Sequence, residues 1–132
     1  MDEKILIIEH NAGLRENTAE LLEFYNYSVF TADNGHTGFE LAKKVKPDII
    51  LCDMLMPKSD GKEFLRLARN DDIVNKIPLI YFSAGSLNYE IKKGLIKESS
   101  GYLQKPFTEN QLIGIMRKLW EPLKRFMDKG CI

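Results

Sequence analysis

Four strand-like segments of this chain end on residues that can do chemistry. Ile49-Ile50-Leu51-Cys52 ends on Asp53, and Ile5-Leu6-Ile7-Ile8 ends on Glu9-His10-Asn11. Ile77-Pro78-Leu79-Ile80-Tyr81-Phe82 ends on Ser83, and Gly101-Tyr102-Leu103-Gln104 ends on Lys105. In open α/β sheets the working groups sit in the crevice beyond the carboxyl ends of the strands. If these four ends share one edge, a carboxylate, a hydroxyl and an ammonium converge beside a second acidic position. Carboxylates held close together suit a hard cation such as Mg2+, which takes oxygen ligands and keeps waters. A hydroxyl and a lysine suit phosphate oxygens. Together they describe an aspartate, Asp53, that accepts a phosphoryl group while metal and Lys105 stabilise the charge in transfer. A lone strand-ending Asp more often only starts a turn. The other three ends are what favour the chemical reading.

The intervening segments are of the kind that would position such ends. A continuous Ile- and Leu-rich run reads as a strand buried on both faces of a parallel sheet. Leu14, Thr18, Leu21, Leu22 and Tyr25 recur at helical spacing and predict a helix over 12–26. Ser28-Val29-Phe30-Thr31-Ala32 is a short strand; Gly38, Phe39, Ala42 and Val45 mark the next helix, which Pro47 ends. Phe64, Leu67 and Ala68 mark a third, stopped at Asn70-Asp71-Asp72, and Leu87, Ile91 and Leu95 a fourth. Thr108 is a good N-cap for the last helix, and Gln111 can complete a capping box. Strand and helix thus alternate five times with short connections, which favours a parallel sheet with helices on both faces.

Composition narrows the function. At 132 residues the chain is long enough for one domain and short for two. Lys+Arg and Asp+Glu both count 19, a balance that offers no overall electrostatic footprint for nucleic acid or an anionic membrane. No apolar run approaches the ~20 residues of a membrane span, and no secretory signal is read at the N-terminus. Cys52 and Cys131 form neither a disulfide framework nor a metal pattern, so a cytoplasmic setting is expected.

On these motifs the chain resembles the receiver domain of two-component response regulators, from Lys4 to about Trp120. The matching pieces are Ile5 to Glu9, Pro47 to Pro57, Asp60-Gly61, Ile77 to Ala84 and Gly101 to Phe107. The resemblance implies a flavodoxin-like α/β fold, a doubly wound five-stranded parallel sheet in the order 2-1-3-4-5 with five helices. It implies that Asp53 is the phosphoacceptor, served by a histidine kinase or a phosphotransfer protein. Glu9 matches an acidic position that acts on Mg2+ mostly through water, and the backbone carbonyl of Leu55 a metal ligand. Ser83, the backbone amide of Ala84 and Lys105 match the groups that hold phosphate. Tyr102 matches an aromatic switch residue coupled to Ser83, and Lys105-Pro106 a cis peptide bond. Such a domain is a phosphorylation-controlled switch rather than an enzyme, assisting only its own phosphoryl transfer and hydrolysis. Its fourth helix–fifth strand–fifth helix surface changes partners, so an unknown downstream protein is an expected contact, and a homodimer with a second copy of the chain stays open. No direct contact with nucleic acid or membrane is expected.

One residue departs from the pattern. His10 stands where the family carries a metal-binding carboxylate, and imidazole is a poor partner for Mg2+, so weak Mg2+ binding is expected. Three outcomes stay open. The domain is phosphorylated with weak metal affinity; or His10 brings in a softer metal or, protonated, supplies charge itself; or the domain is a receiver-like interaction module that has lost phosphorylation or metal dependence. The receiver is expected to occupy 1–121. The remaining 122–132, beginning with Pro122, reads as a C-terminal helical extension or the start of a linker, with the last helix kinked or stopped at the proline.

Overall fold

The computed structural model describes residues 3–54, 60–83 and 101–128. Its elements in chain order are β1 (Lys4–Ile8), α1 (Ala12–Phe24), β2 (Ser28–Ala32), α2 (Gly35–Val45), β3 (Ile49–Asp53), α3 (Asp60–Arg69), a short 3-10 turn (Val74–Lys76), β4 (Leu79–Ser83), β5 (Gly101–Gln104) and α4 (Glu109–Asp128). The expected fourth helix, with Leu87, Ile91 and Leu95, lies outside the described residues. The C-terminal helix, labelled α4, is the fifth of the expected set.

All strand pairings are parallel, and the order is β2-β1-β3-β4-β5, as expected. The two-residue period of a strand sends alternate side chains to opposite faces. Leu6, Ile8, Ile50, Cys52 and Tyr81 pack with Phe39 and Ala42 of α2 and Phe64, Leu65 and Ala68 of α3. Ile5, Ile7, Ile49, Leu51, Ile80 and Phe82 pack with Leu22 of α1 and Leu112, Ile113 and Met116 of α4. Because β1 and β3 are covered on both sides, each of their apolar residues is buried, and the runs read as unbroken hydrophobic sequence.

Local chemistry sets the ends of the helices. Asn11 and Asn34 cap α1 and α2, their side-chain oxygens accepting from the N–H groups of Leu14 and Thr37 at 2.9 and 2.8 Å. Lys46 closes α2 in the left-handed region at φ 54°. Thr108 and Gln111 form the expected reciprocal capping box: the Thr108 N–H donates to Gln111 Oε1 at 2.8 Å, and the Gln111 N–H to Thr108 Oγ1 at 3.1 Å. Pro122 does not stop the last helix, which continues to Asp128. Proline removes a single backbone donor, and a 20-residue helix has turns on either side to hold it.

Candidate functional site

The parallel registers bring the chemically equipped ends to one rim. Ile8 lies beside Cys52, so Glu9 follows β1 at the level of Asp53; Asp53 lies beside Phe82, and Ser83 beside Gln104. Lys105 is the first residue past β5. Glu9 and Asp53 are both buried, at 0% and 1% exposure. Isolated carboxylates are costly in such a place, and charge partners are required. Lys105 supplies one: its Nζ lies 2.6 Å from Glu9 Oε1 and 2.9 Å from Asp53 Oδ2. His10 lies on the solvent side, its Nδ1 3.2 Å from Glu9 Oε2 and 3.6 Å from Asp53 Oδ2.

The rim is held by groups around it. The Asn11 N–H donates to Glu9 Oε2 at 3.2 Å, and an Arg15 guanidinium nitrogen donates to the carbonyls of Glu9 and His10 at 2.9 and 3.4 Å. Gly61, in the first turn of α3, meets the end of β3 directly. A Cβ there would fall against the Asp53 carbonyl oxygen and 2.7 Å from Met54 Cα. Only glycine allows that approach. Burial holds the Glu9 carboxyl above its ordinary range, the neighbouring Asp53 carboxyl adds to this, and Lys105 and the Asn11 amide pull the other way.

The structure therefore brings Glu9, His10, Asp53 and Lys105 together. Leu55 and Ala84 lie outside the described residues, and for Ser83 the description covers its place at the end of β4 and not its side chain. Tyr102 is partly buried in β5 and packs against the cluster on the α2–α3 face. The Lys105–Pro106 peptide is cis, as expected. Arg15 and Gly61 were not assigned roles from sequence. Arg15 carries no motif that would mark it as a brace. Gly61 is signalled only as part of the Asp60-Gly61 piece of the resemblance, which carries no role for it.

A family model described as the response regulator receiver domain matches residues 5–117. The chain belongs to that family. A probable transcriptional regulator, ycf29, from Porphyra purpurea is 34% identical over 119 residues, 90% of this chain and 57% of that protein. The chain spans 51–57% of the length of the first curated relatives it matches. Among solved structures, the Vibrio cholerae chemotaxis protein CheY4 at low pH superposes with a TM-score of 0.82 at 23% identity, covering 90% of this chain and 99% of that one. The receiver domain of the sensor histidine kinase PA1611 from Pseudomonas aeruginosa superposes at 0.80 with 24% identity, covering 90% and 98%; that structure has a magnesium ion coordinated in its active site cleft. At these identities the likeness of the structures is one of fold: the same doubly wound receiver sheet.

In this receiver the donor atoms of Glu9, His10 and Asp53 lie within 4.8 Å of one another. That spacing fits a single divalent ion, although one donor is nitrogen rather than oxygen. Among the described residues no helix is long and apolar enough to cross a membrane.

Proposed function

We propose that this receiver is a phosphorylation-controlled switch with Asp53 as phosphoacceptor. The observation that carries the reading is the Lys105 ammonium 2.9 Å from Asp53 Oδ2, at a rim that also holds the buried Glu9. A carboxylate oxygen of Asp53 attacks the phosphorus of a phosphohistidine on a histidine kinase or phosphotransfer protein. The P–N bond breaks, an acyl phosphate forms, and the donor imidazole leaves. Lys105 turns from the carboxylates to the transferred oxygens, whose charge develops within its reach. Ser83 and the Ala84 amide are the further phosphate donors in this reading, and the Leu55 carbonyl, Glu9 and Asp53 the groups that hold a cation. A divalent ion bound there would neutralise oxygens of the transferred group. Mg2+ binding is weak, because His10 replaces a carboxylate. The added charge of about −2 biases the β5–α4 region, through Tyr102, toward a second packing that a downstream protein or a second copy of the chain recognises.

Incubation with acetyl phosphate and Mg2+, followed by intact mass, is expected to show one added phosphoryl group that Asp53→Ala abolishes. An unmodified chain, or an adduct that survives Asp53→Ala, sinks the reading. A second reading draws on one observation: Lys105 already bonds both carboxylates and His10 takes the place of an acid, so the rim is internally compensated. On that reading the domain is an interaction module in a single state, and acetyl phosphate leaves its mass unchanged.

A further inference from the structure

His10 is the member of the rim that the family pattern does not supply, and its placement bears on which ion the rim selects. We propose that Glu9, His10 and Asp53 form a site for a borderline divalent transition ion of the Zn2+ class, with His10 Nδ1 as a ligand. The inference deepens the phosphoacceptor reading of the same rim and rests on it, but ion binding and phosphoryl transfer are measured apart.

Donor chemistry comes first. Mg2+ demands near-octahedral oxygen coordination and dehydrates reluctantly, whereas imidazole suits zinc, nickel, copper and iron. Two carboxylates and one imidazole, with a position left for water or a phosphate oxygen, make the three-ligand set of an open zinc site. Geometry agrees. Ligands at zinc distances and tetrahedral angles stand roughly 3.3 Å apart. Nδ1 of His10 lies 3.2 Å from Glu9 Oε2 and 3.6 Å from Asp53 Oδ2.

The surroundings favour the same ion. The two carboxylates are buried and braced, while the imidazole side chain is 43% exposed and offers a path of entry from solvent. Arg15, bonded to the carbonyls of Glu9 and His10, fixes the backbone that carries the ring. Lys105 does not block the approach to Glu9. It holds Oε1, whereas the imidazole faces Oε2, which also accepts from the Asn11 N–H; Asp53 Oδ2 lies beside both the ammonium and the ring.

The test is titration of the 15N-labelled chain with Zn2+ and with Mg2+, in a Cys131→Ser background that removes the thiol near the chain's end. Zn2+ is expected to move the His10 imidazole nitrogens and leave those of His36, on the exposed first turn of α2, in place. His10→Ala is expected to weaken Zn2+ at least about tenfold, the least that loss of a direct ligand should cost when loss of a supporting group costs that much. His10→Asp is expected to tighten Mg2+ and to narrow the preference for Zn2+ by at least about the same factor. Position 10 is exposed, and amide spectra without metal check that both variants stay folded. A smaller loss in His10→Ala, an unmoved imidazole, or an unchanged preference in His10→Asp overturns the proposal. A chain that binds Zn2+ through His10 yet takes no phosphoryl group from acetyl phosphate defeats the switch and leaves the metal site standing.

Discussion

Glu9 shows most clearly what this rim costs the fold. Its carboxyl is buried beside Asp53 and held above its ordinary value near 4.5, chiefly by loss of water. The native state therefore holds a proton more tightly than the unfolded chain. In metal-free buffer, the contribution of Glu9 to stability is lost as pH rises from about that ordinary value through the raised native one, and is constant above it. Glu9→Gln removes the titration and the repulsion, and its single amide oxygen can keep the contact with Lys105, the Asn11 N–H giving up the other oxygen. Chemical denaturation across pH 4 to 8 is expected to show a shallower slope and, at neutral pH, stability equal to or above the parent. A loss of about 1–3 kcal/mol, the usual cost of disturbing a buried polar group, would contradict this account. Lys105→Met is the converse. It keeps the stem and deletes the cation shared by two buried carboxylates, so a loss of about 3 kcal/mol at neutral pH is expected. The double variant Glu9→Gln/Lys105→Met should lose less than the two changes summed, because one buried charge has gone with the ammonium. Strict additivity would mean that Lys105 does not neutralise this pair.

At the scale of elements, the rim is delivered by strand ends and held by helix starts. Gly61 lets the first turn of α3 seat against the carbonyl of Asp53. Gly61→Ala puts a methyl group into backbone that has no room to give, so about 1–3 kcal/mol of stability should be lost, with displaced amide resonances at Asp53 and Met54. Thr108→Ala opens the capping box of α4 and should cost about 1 kcal/mol, with no change at Asp53. The sequence showed the strands well because parallel strands covered on both sides must be apolar throughout, and each of β1, β3, β4 and β5 stops where the chain turns polar. The 2-1-3-4-5 order followed from the family resemblance, and the capping box from spacing alone. Other features left no local mark. Lys105 was expected to meet a phosphate; that it bonds both carboxylates depends on where β5 sits beside β4 and β3. The reach of Arg15 to two carbonyls depends on the turn between β1 and α1. The last helix was expected to kink or stop at Pro122; it does not stop there but runs on to Asp128, since one missing donor weighs less than the turns around it.

For the whole molecule, the question is where a change at the rim can travel. The middle of the sheet is a poor conduit. β1 and β3 each have strands on both sides and helices on both faces, so their close-packed side chains have no second arrangement to move into. β5 differs in two respects. Among the described residues it is an edge strand bonded to β4 alone, and it leads into Lys105, the residue tied to both carboxylates. If the ammonium leaves Glu9 and Asp53 for a phosphoryl group, the pull falls on an edge strand, which also carries Tyr102. β2, the opposite edge, has no side chain at the rim among the groups bonded there. Beryllofluoride with a divalent ion, as a phosphate mimic, should therefore shift amide resonances over Gly101 to Phe107 and the first turns of α4, and leave β2 nearly unmoved. The same addition to Lys105→Met should shift the rim residues Glu9 to Asn11 but lose most of the response in β5. Equal responses at both edges, or a β5 response that survives loss of the ammonium, would show that Lys105 is not the link between the rim and the surface beyond it.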